Sequence, residues 1–231
     1  MVFLISLICA IAFAFVFRIP LKKAPWVFYA VALILVILFV ARESLNFPVY
    51  VQRPIFYLMQ KCTAAEALFV IVMYIGVLGE KSKLRAYLVP IRAELSILAC
   101  LLALGHIVNY LMSFVPQVAG AAMSLRANIL FSIGFAVLLV ALLLILGITS
   151  FNVVKHRMNA SKWRRIQWLA YPFFLLTYVH ILLFLLPSAL SGAATAQFST
   201  IVYTVVFIAY IALRAVATAR KRKRLKNCAQ A

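Results

Sequence analysis

Two of the chain's three histidines, His106 and His180, stand inside long apolar runs, and the third, His156, falls in the basic stretch Lys155-His156-Arg157. Hydrocarbon offers an imidazole nothing to bond, so an ionisable ring inside an apolar span needs a partner and is a candidate functional group. The run holding His106 starts near Arg92, fourteen residues earlier, and the run holding His180 starts near Gln167, thirteen residues earlier. At 1.5 Å per helical residue the two rings stand about 21 and 20 Å from those starts, and both starts lie beside clusters of Lys and Arg. Two imidazoles at one depth on helices of one direction are what a six-coordinate heme iron takes as axial ligands. Either histidine alone reads more simply as a hydrogen-bonded core residue; the matched depth favours the pair. Metals other than heme iron fit less well, since no carboxylate or thiolate accompanies the two rings. His156, between two cations, reads as a solvated loop residue.

The elements that must carry these rings are membrane helices. The chain is 67% hydrophobic, has four acidic residues against 23 Lys and Arg, and has a mean hydropathy of +1.10. No soluble domain of this length hides so much apolar surface, so the fold is all-α, a polytopic transmembrane helical bundle. Seven apolar runs are predicted as helices, at about 2–17, 25–41, 55–79, 92–115, 127–150, 168–187 and 196–216. The net charge of +19 falls in short clusters between these runs, a pattern of topology and lipid headgroups and not of a nucleic-acid surface.

Alternate loops are rich in cations. One set holds Arg18, Lys22 and Lys23, then Lys81, Lys83, Arg85 and Arg92, then Lys155, Arg157, Lys162, Arg164 and Arg165, and last the basic tail at 220–226. The other set holds only Arg42, Arg53, Lys61 and Arg126. The expectation is a multi-pass protein of the cell membrane with its N-terminus outside and its C-terminus in the cytoplasm. Residues 1–17 lack a basic leader and a small-residue cleavage site and read as a retained helix. Cys9, Cys62, Cys100 and Cys228 form no Cys-x-x-Cys pair, and three of them, in or beside helices, read as packing residues. Pro116 and Pro187 are predicted to stop the fourth and sixth helices at the outer face. Pro172, one turn inside the sixth, either is a tolerated membrane-helix proline or shapes a cavity. Gly105, Gly134 and Gly147 would give a flat macrocycle room, and Tyr110 and Tyr178 would line its cavity.

The stretch Gly147-Ile148-Thr149-Ser150-Phe151-Asn152, a basic loop, Trp163-Arg164-Arg165-Ile166-Gln167-Trp168-Leu169-Ala170-Tyr171 and then Tyr178-Val179-His180 resembles the ferric-reductase-like transmembrane domain family. In that family a Thr-Ser pair ends one helix, a Trp-Arg/Lys-x-Leu-His-x-x-x-Tyr segment opens the next, and a second His follows thirteen residues after the first. The segment from Ile91 to Gly105-His106 and Tyr110 is similar to the family's other heme helix. The family includes ferric reductases, the membrane part of NADPH oxidases and the small bacterial heme subunit that supplies a periplasmic methionine sulfoxide reductase, and in size the chain is most similar to the last. The resemblance covers roughly residues 55–215 and implies a division into N-terminal helices and outer loop (1–54), a heme-binding transmembrane domain (55–216) and a basic cytoplasmic tail (217–231). It implies about seven helices, a six-helix heme-binding core plus an N-terminal helix.

One departure matters: Gln167 stands where the family's first histidine of that helix would be, and no histidine stands one heme spacing before His106. The expectation is therefore a single outer heme b, with His106 and His180 as metal ligands. Tyr110 would sit beside it, and Arg53 and Arg126 would be cations for its propionates. The chain would be an electron-transfer subunit of an oxidoreductase, passing single electrons to an acceptor or partner reductase on the outer face. With the iron about 20 Å from the cytoplasmic helix ends, a membrane quinol, a bound flavin such as FMN, or a flavin reductase would have to deliver the electron. Two other classes are weighed against this. A small-solute transporter calls for paired charges or matching broken helices, and Glu66 is the one mid-helix acid. A non-redox membrane scaffold would use the histidines for packing alone.

Overall fold

In lipid an apolar chain satisfies its backbone by helical bonding within each span. The computed structural model describes residues 2–42, 44–45, 47–121 and 127–229, and these are helical apart from short connections. In order they form α1 (Val2–Val16), α2 (Arg18–Lys23), α3 (Pro25–Val40), α4 (Val49–Gln60), α5 (Thr63–Ile75) and α6 (Lys83–Leu88). A 3-10 turn (Val89–Ile91) follows, then α7 (Arg92–Ala121), α8 (Ala127–Ser150), α9 (Asn152–Arg157), α10 (Ala160–Gln167), α11 (Ala170–Leu190) and α12 (Ala194–Ala229). The chain is an all-α polytopic membrane bundle, as its composition requires.

Helix α5 is the axis of this bundle. It is apolar all round, and every residue except Ala64 and Tyr74 is buried, as expected of a helix with no solvent or lipid face. α1, α4 and α7 pack directly on it. α11 reaches it through Phe69 and Phe173, edge to face at 5.2 Å, and α12 through the Tyr74 hydroxyl, which donates to the Val206 carbonyl at 2.6 Å. Further out α3 packs on α7, and α8 packs on both α7 and α11. The outermost helix, α12, is apolar on two faces with different uses. Tyr203, Phe207 and Tyr210 are buried, whereas Ile201, Val205 and Ile208 are exposed. Both stripes follow a helical 3–4 spacing, one turned to the core and one left to hydrocarbon.

Every one of the seven apolar runs is helical, but the spans differ from those expected. Among the described residues four helices are long and apolar enough to cross a membrane, or up to five if α4 and α5, bent by 45° at their junction, count as one span. α1 and α3 have 15 and 16 residues, about 23 and 24 Å of helix, short of a hydrocarbon core of about 30 Å. The predicted helix over 55–79 is instead two helices meeting at Lys61 and Cys62, with no proline or glycine at the joint. α7 continues past Pro116 to Ala121, α11 past Pro187 to Leu190, and the basic tail prolongs α12 to Ala229. A proline removes only its own N–H bond, and a long apolar helix with no aqueous alternative carries on around it.

Pro172 acts at the start of its helix. Without an N–H it leaves the Trp168 carbonyl without its usual i+4 donor, and the backbone shifts there to tighter bonds, Tyr171 N–H to the Trp168 carbonyl at 3.1 Å and Trp168 N–H to the Arg165 carbonyl at 3.1 Å. That loosening separates α10 from α11, so Pro172 falls in the first turn of α11, where a proline costs little.

Two of the glycines expected to make room for a macrocycle serve helix packing. A Cβ on Gly105 would meet Phe39 at 3.4 Å and Met59 at 3.6 Å, and one on Gly147 would meet the Cys100 sulfur at 3.2 Å, whereas Gly134 faces open space. Gly105 seats α7 against α3 and α4, and Gly147 seats α8 against α7. Gly147→Leu should therefore destabilise the folded protein by about 1–3 kcal/mol, read as a lower thermal midpoint in detergent, and adding Cys100→Ala should recover part of that loss.

Candidate functional site

The site around His106 begins with the break between α4 and α5. Cys62 takes a left-handed backbone conformation, φ 55°, and ends α4. The last carbonyls of a helix have no donor inside it, and the fold supplies one to each of three here. The Cys62 N–H bonds the Met59 carbonyl at 3.0 Å, the Thr63 hydroxyl bonds the Tyr57 carbonyl at 3.4 Å, and His106 Nδ1 on α7 bonds the Gln60 carbonyl at 2.6 Å. A carbonyl only accepts, so Nδ1 of His106 carries the proton and Nε2 keeps its lone pair. Tyr110, one turn along α7, lies against the imidazole with ring centroids 4.6 Å apart, and Phe114 stacks on Tyr110.

His180 on α11 is held in the same manner by α8. Its Nδ1 is 3.2 Å from the Ser132 carbonyl and 3.0 Å from the Ser132 hydroxyl, and Ser132 is only 1% exposed. The carbonyl again makes Nδ1 the donor. Phe184 meets the ring edge-on at 5.4 Å. The two histidines are close enough to act on each other electrostatically. Both are half-buried, and Nε2 of neither makes a hydrogen bond among the described residues. One nitrogen anchored to the protein and the other left as a free donor is the state in which histidine ligates a metal. Among the described residues there is no group of three or more His, Cys, Asp and Glu that would hold an ion by itself. The donor set thus fits a planar metal complex supplying its own equatorial ligands.

Cations stand near the end of the bundle that Asn109 of α7 approaches. Arg53 is exposed on α4 and lines a recess of about 260 Å³ with Arg42, Gln52 and Phe56. Arg42 is the better anchored: Nη2 donates to the side-chain oxygen of Asn109 at 2.9 Å, Nη1 to the Phe39 carbonyl at 2.9 Å, and the guanidinium lies over the Phe39 ring. Asn109 is three residues beyond His106 on α7, so Arg42 reaches the helix that carries His106. The sequence reading gives Arg42 a topological role only, although it is one of just four basic residues in the cation-poor loops. Arg126 lies outside the described residues.

Other expectations move. The Tyr178 hydroxyl pairs with Thr204 Oγ1 at 2.9 Å and its ring stacks on Phe207, so it joins α11 to α12. His156 is exposed in α9. Gln167 ties the inner helix ends together: its Nε2 donates to Thr149 Oγ1 at 3.0 Å, while Trp163 Nε1 donates to the Thr149 carbonyl at 2.9 Å. The Thr-Ser end of α8 is thereby clamped to α10.

Comparison with known families gives a match of residues 61–178 to the ferric reductase like transmembrane component. The match contains His106 and Gln167 and ends two residues before His180. An uncharacterized protein of Treponema pallidum (strain Nichols) is 37% identical over 171 residues, 74% of this chain and 47% of that protein. The chain spans about half the length of this curated relative. No solved structure matches it.

The clamp at Thr149 predicts a measurable coupling. Thr149→Val leaves the Gln167 amide without its acceptor and should lower stability by about 1–2 kcal/mol, whereas in a Gln167→Leu background the same substitution should cost much less, as read from thermal midpoints in a double-mutant cycle.

Proposed function

The chain belongs to the ferric-reductase-like transmembrane family, and from that premise we propose that this membrane electron-transfer component holds one b-type heme between His106 and His180 and hands single electrons to an acceptor on the outer face. The observation that carries this reading is the pair of imidazoles, each anchored through Nδ1 to a backbone carbonyl and each keeping Nε2 free. Bound there, heme supplies a one-electron iron couple whose potential is set by its ligands and its burial.

The protein's own residues do the rest. The Gln60 and Ser132 carbonyls fix the tautomer and plane of each imidazole and make its free nitrogen a stronger donor. His106 and His180 would both hold the iron, which would leave no place for O₂ at the metal and make electron passage the task. Tyr110 covers one side of His106 and keeps water from it. Arg42 and Arg53 give the outer end positive charge for the two propionates.

The alternation of basic and non-basic loops supports placement in the cell membrane with the N-terminus outside and the C-terminus inside. In that orientation electrons enter from the cytoplasmic side, through a quinol, an FMN-type flavin or a flavin reductase, and leave to an outer partner reductase. Gln167, committed to Thr149, supports one heme in place of the family's two.

Purified protein from heme-replete cells should show a Soret band and sharp reduced α and β bands at one heme per chain. His106→Ala and His180→Ala should each abolish them, and colourless wild-type protein would overturn the proposal. Ser132→Ala, which keeps the carbonyl acceptor, should weaken heme retention by no more than about tenfold.

A further inference from the structure

Three guanidinium groups gather at the end of the bundle opposite Arg42. Arg92, the first residue of α7, donates through Nε to the Val72 carbonyl of α5 at 3.1 Å. It lies within electrostatic reach of Arg85 on α6 and Arg214 on α12, both of its own sign, and of the phenols Tyr171 and Tyr210. Arg214 sits over the Tyr171 ring at 4.5 Å, which holds its guanidinium in place. Among the described residues, these two guanidiniums and two phenols are the charged and titratable groups that act on Arg92. Like charges gathered beside a low-dielectric slab repel one another, and an anion between them removes that cost.

The same corner has room for one. Between α11 and α12 a recess of about 190 Å³ is lined by Tyr171, Leu175, Tyr210, Ile211 and Arg214. Its two ends differ. Arg214 and Tyr171 stand at the helix ends, while Leu175 and Ile211, 41% and 48% exposed, lie about one turn further toward the middle of the bilayer beside the buried Tyr210. A cationic rim leading into an apolar wall matches a molecule with a charged head and a hydrocarbon chain.

We propose that this corner binds an anionic phospholipid from the leaflet at this end of the bundle. Its phosphate would sit between Arg92 and Arg214, and one acyl chain would lie along Leu175 and Ile211. Guanidinium is suited to phosphate because its planar fork offers paired donors, and basic pockets between membrane helices recognise lipid headgroups by this chemistry. Free phosphate would use the arginines alone and leave the apolar wall bare, which is why a lipid is the favoured occupant. The site stands independently of the heme reading.

The full chain, reconstituted with equal amounts of phosphatidylglycerol and phosphatidylcholine and examined by native mass spectrometry, tests this. Wild-type protein should retain one phosphatidylglycerol in about tenfold preference, and Arg92→Gln with Arg214→Gln should lose the preference. Leu175→Trp, at an exposed position that leaves the Arg92 bond to Val72 intact, should block the groove and also lower retention. Arg220→Gln with Arg222→Gln in the tail should leave it unchanged. Equal retention of the two lipids, an unchanged preference in both the arginine and the Leu175 variants, or displacement by millimolar inorganic phosphate would each overturn the proposal.

Discussion

At Cys62 the backbone takes one left-handed residue, φ 55°, and the geometry around His106 depends on that turn. A continuous helix would have consumed the Gln60 carbonyl by a bond from its own chain four residues on. The break releases it, and in a hydrocarbon environment a released carbonyl has to find a donor within the protein. His106 is that donor, and in donating it is oriented, fixed in one tautomer and left with a single free nitrogen. Ser132 does the same for His180 from α8. The position of His106 follows from a backbone-satisfaction requirement met across helices, whereas His180 is held by the Ser132 carbonyl and hydroxyl inside the continuous helix α8.

The same break ties the first helix to the site. Ser6 on α1 donates to Thr63 Oγ1 at 3.1 Å, and Thr63 in turn bonds the Tyr57 carbonyl at the end of α4. α5 then carries the chain through the middle of the bundle, so that α1, α7, α11 and α12 all read their positions from it. Buried aromatics fill the joints: Phe174 stacks on Phe207, which stacks on Tyr178, and Tyr210 meets both Phe174 and Tyr74. Packing of this kind seats both histidine helices, α7 and α11, against α8.

The inner and outer ends of the bundle show how unevenly the sequence could be read. Matched helix starts near Arg92 and Gln167 placed the two histidines at one depth without any structure, because helical rise is constant and both starts carry basic markers. The resemblance around Thr149-Ser150 and Trp163 likewise pointed to the family later matched over residues 61–178. The partners of those same residues were not legible. Gln60 contributes only its backbone, which has no sequence signature, and Ser132 is one small polar residue among several in apolar runs. Arg42 looked like a topological charge until Asn109 was found opposite it. Gly105 and Gly147 looked like room for a cofactor and are contact points between helices.

Composition and periodic apolar runs by themselves determined that this chain is a multi-pass helical membrane protein, and the spacing of His106 and His180 within those runs gave the expectation that both lie at one level. These are local properties, set by the length of a run and the rise of a helix. Tertiary structure alone decided where a run breaks, which carbonyl each imidazole takes, and which arginines stand beside which tyrosines. Those outcomes turn on contacts between residues far apart in the chain, such as the 46 positions between Gln60 and His106, and no local pattern encodes them.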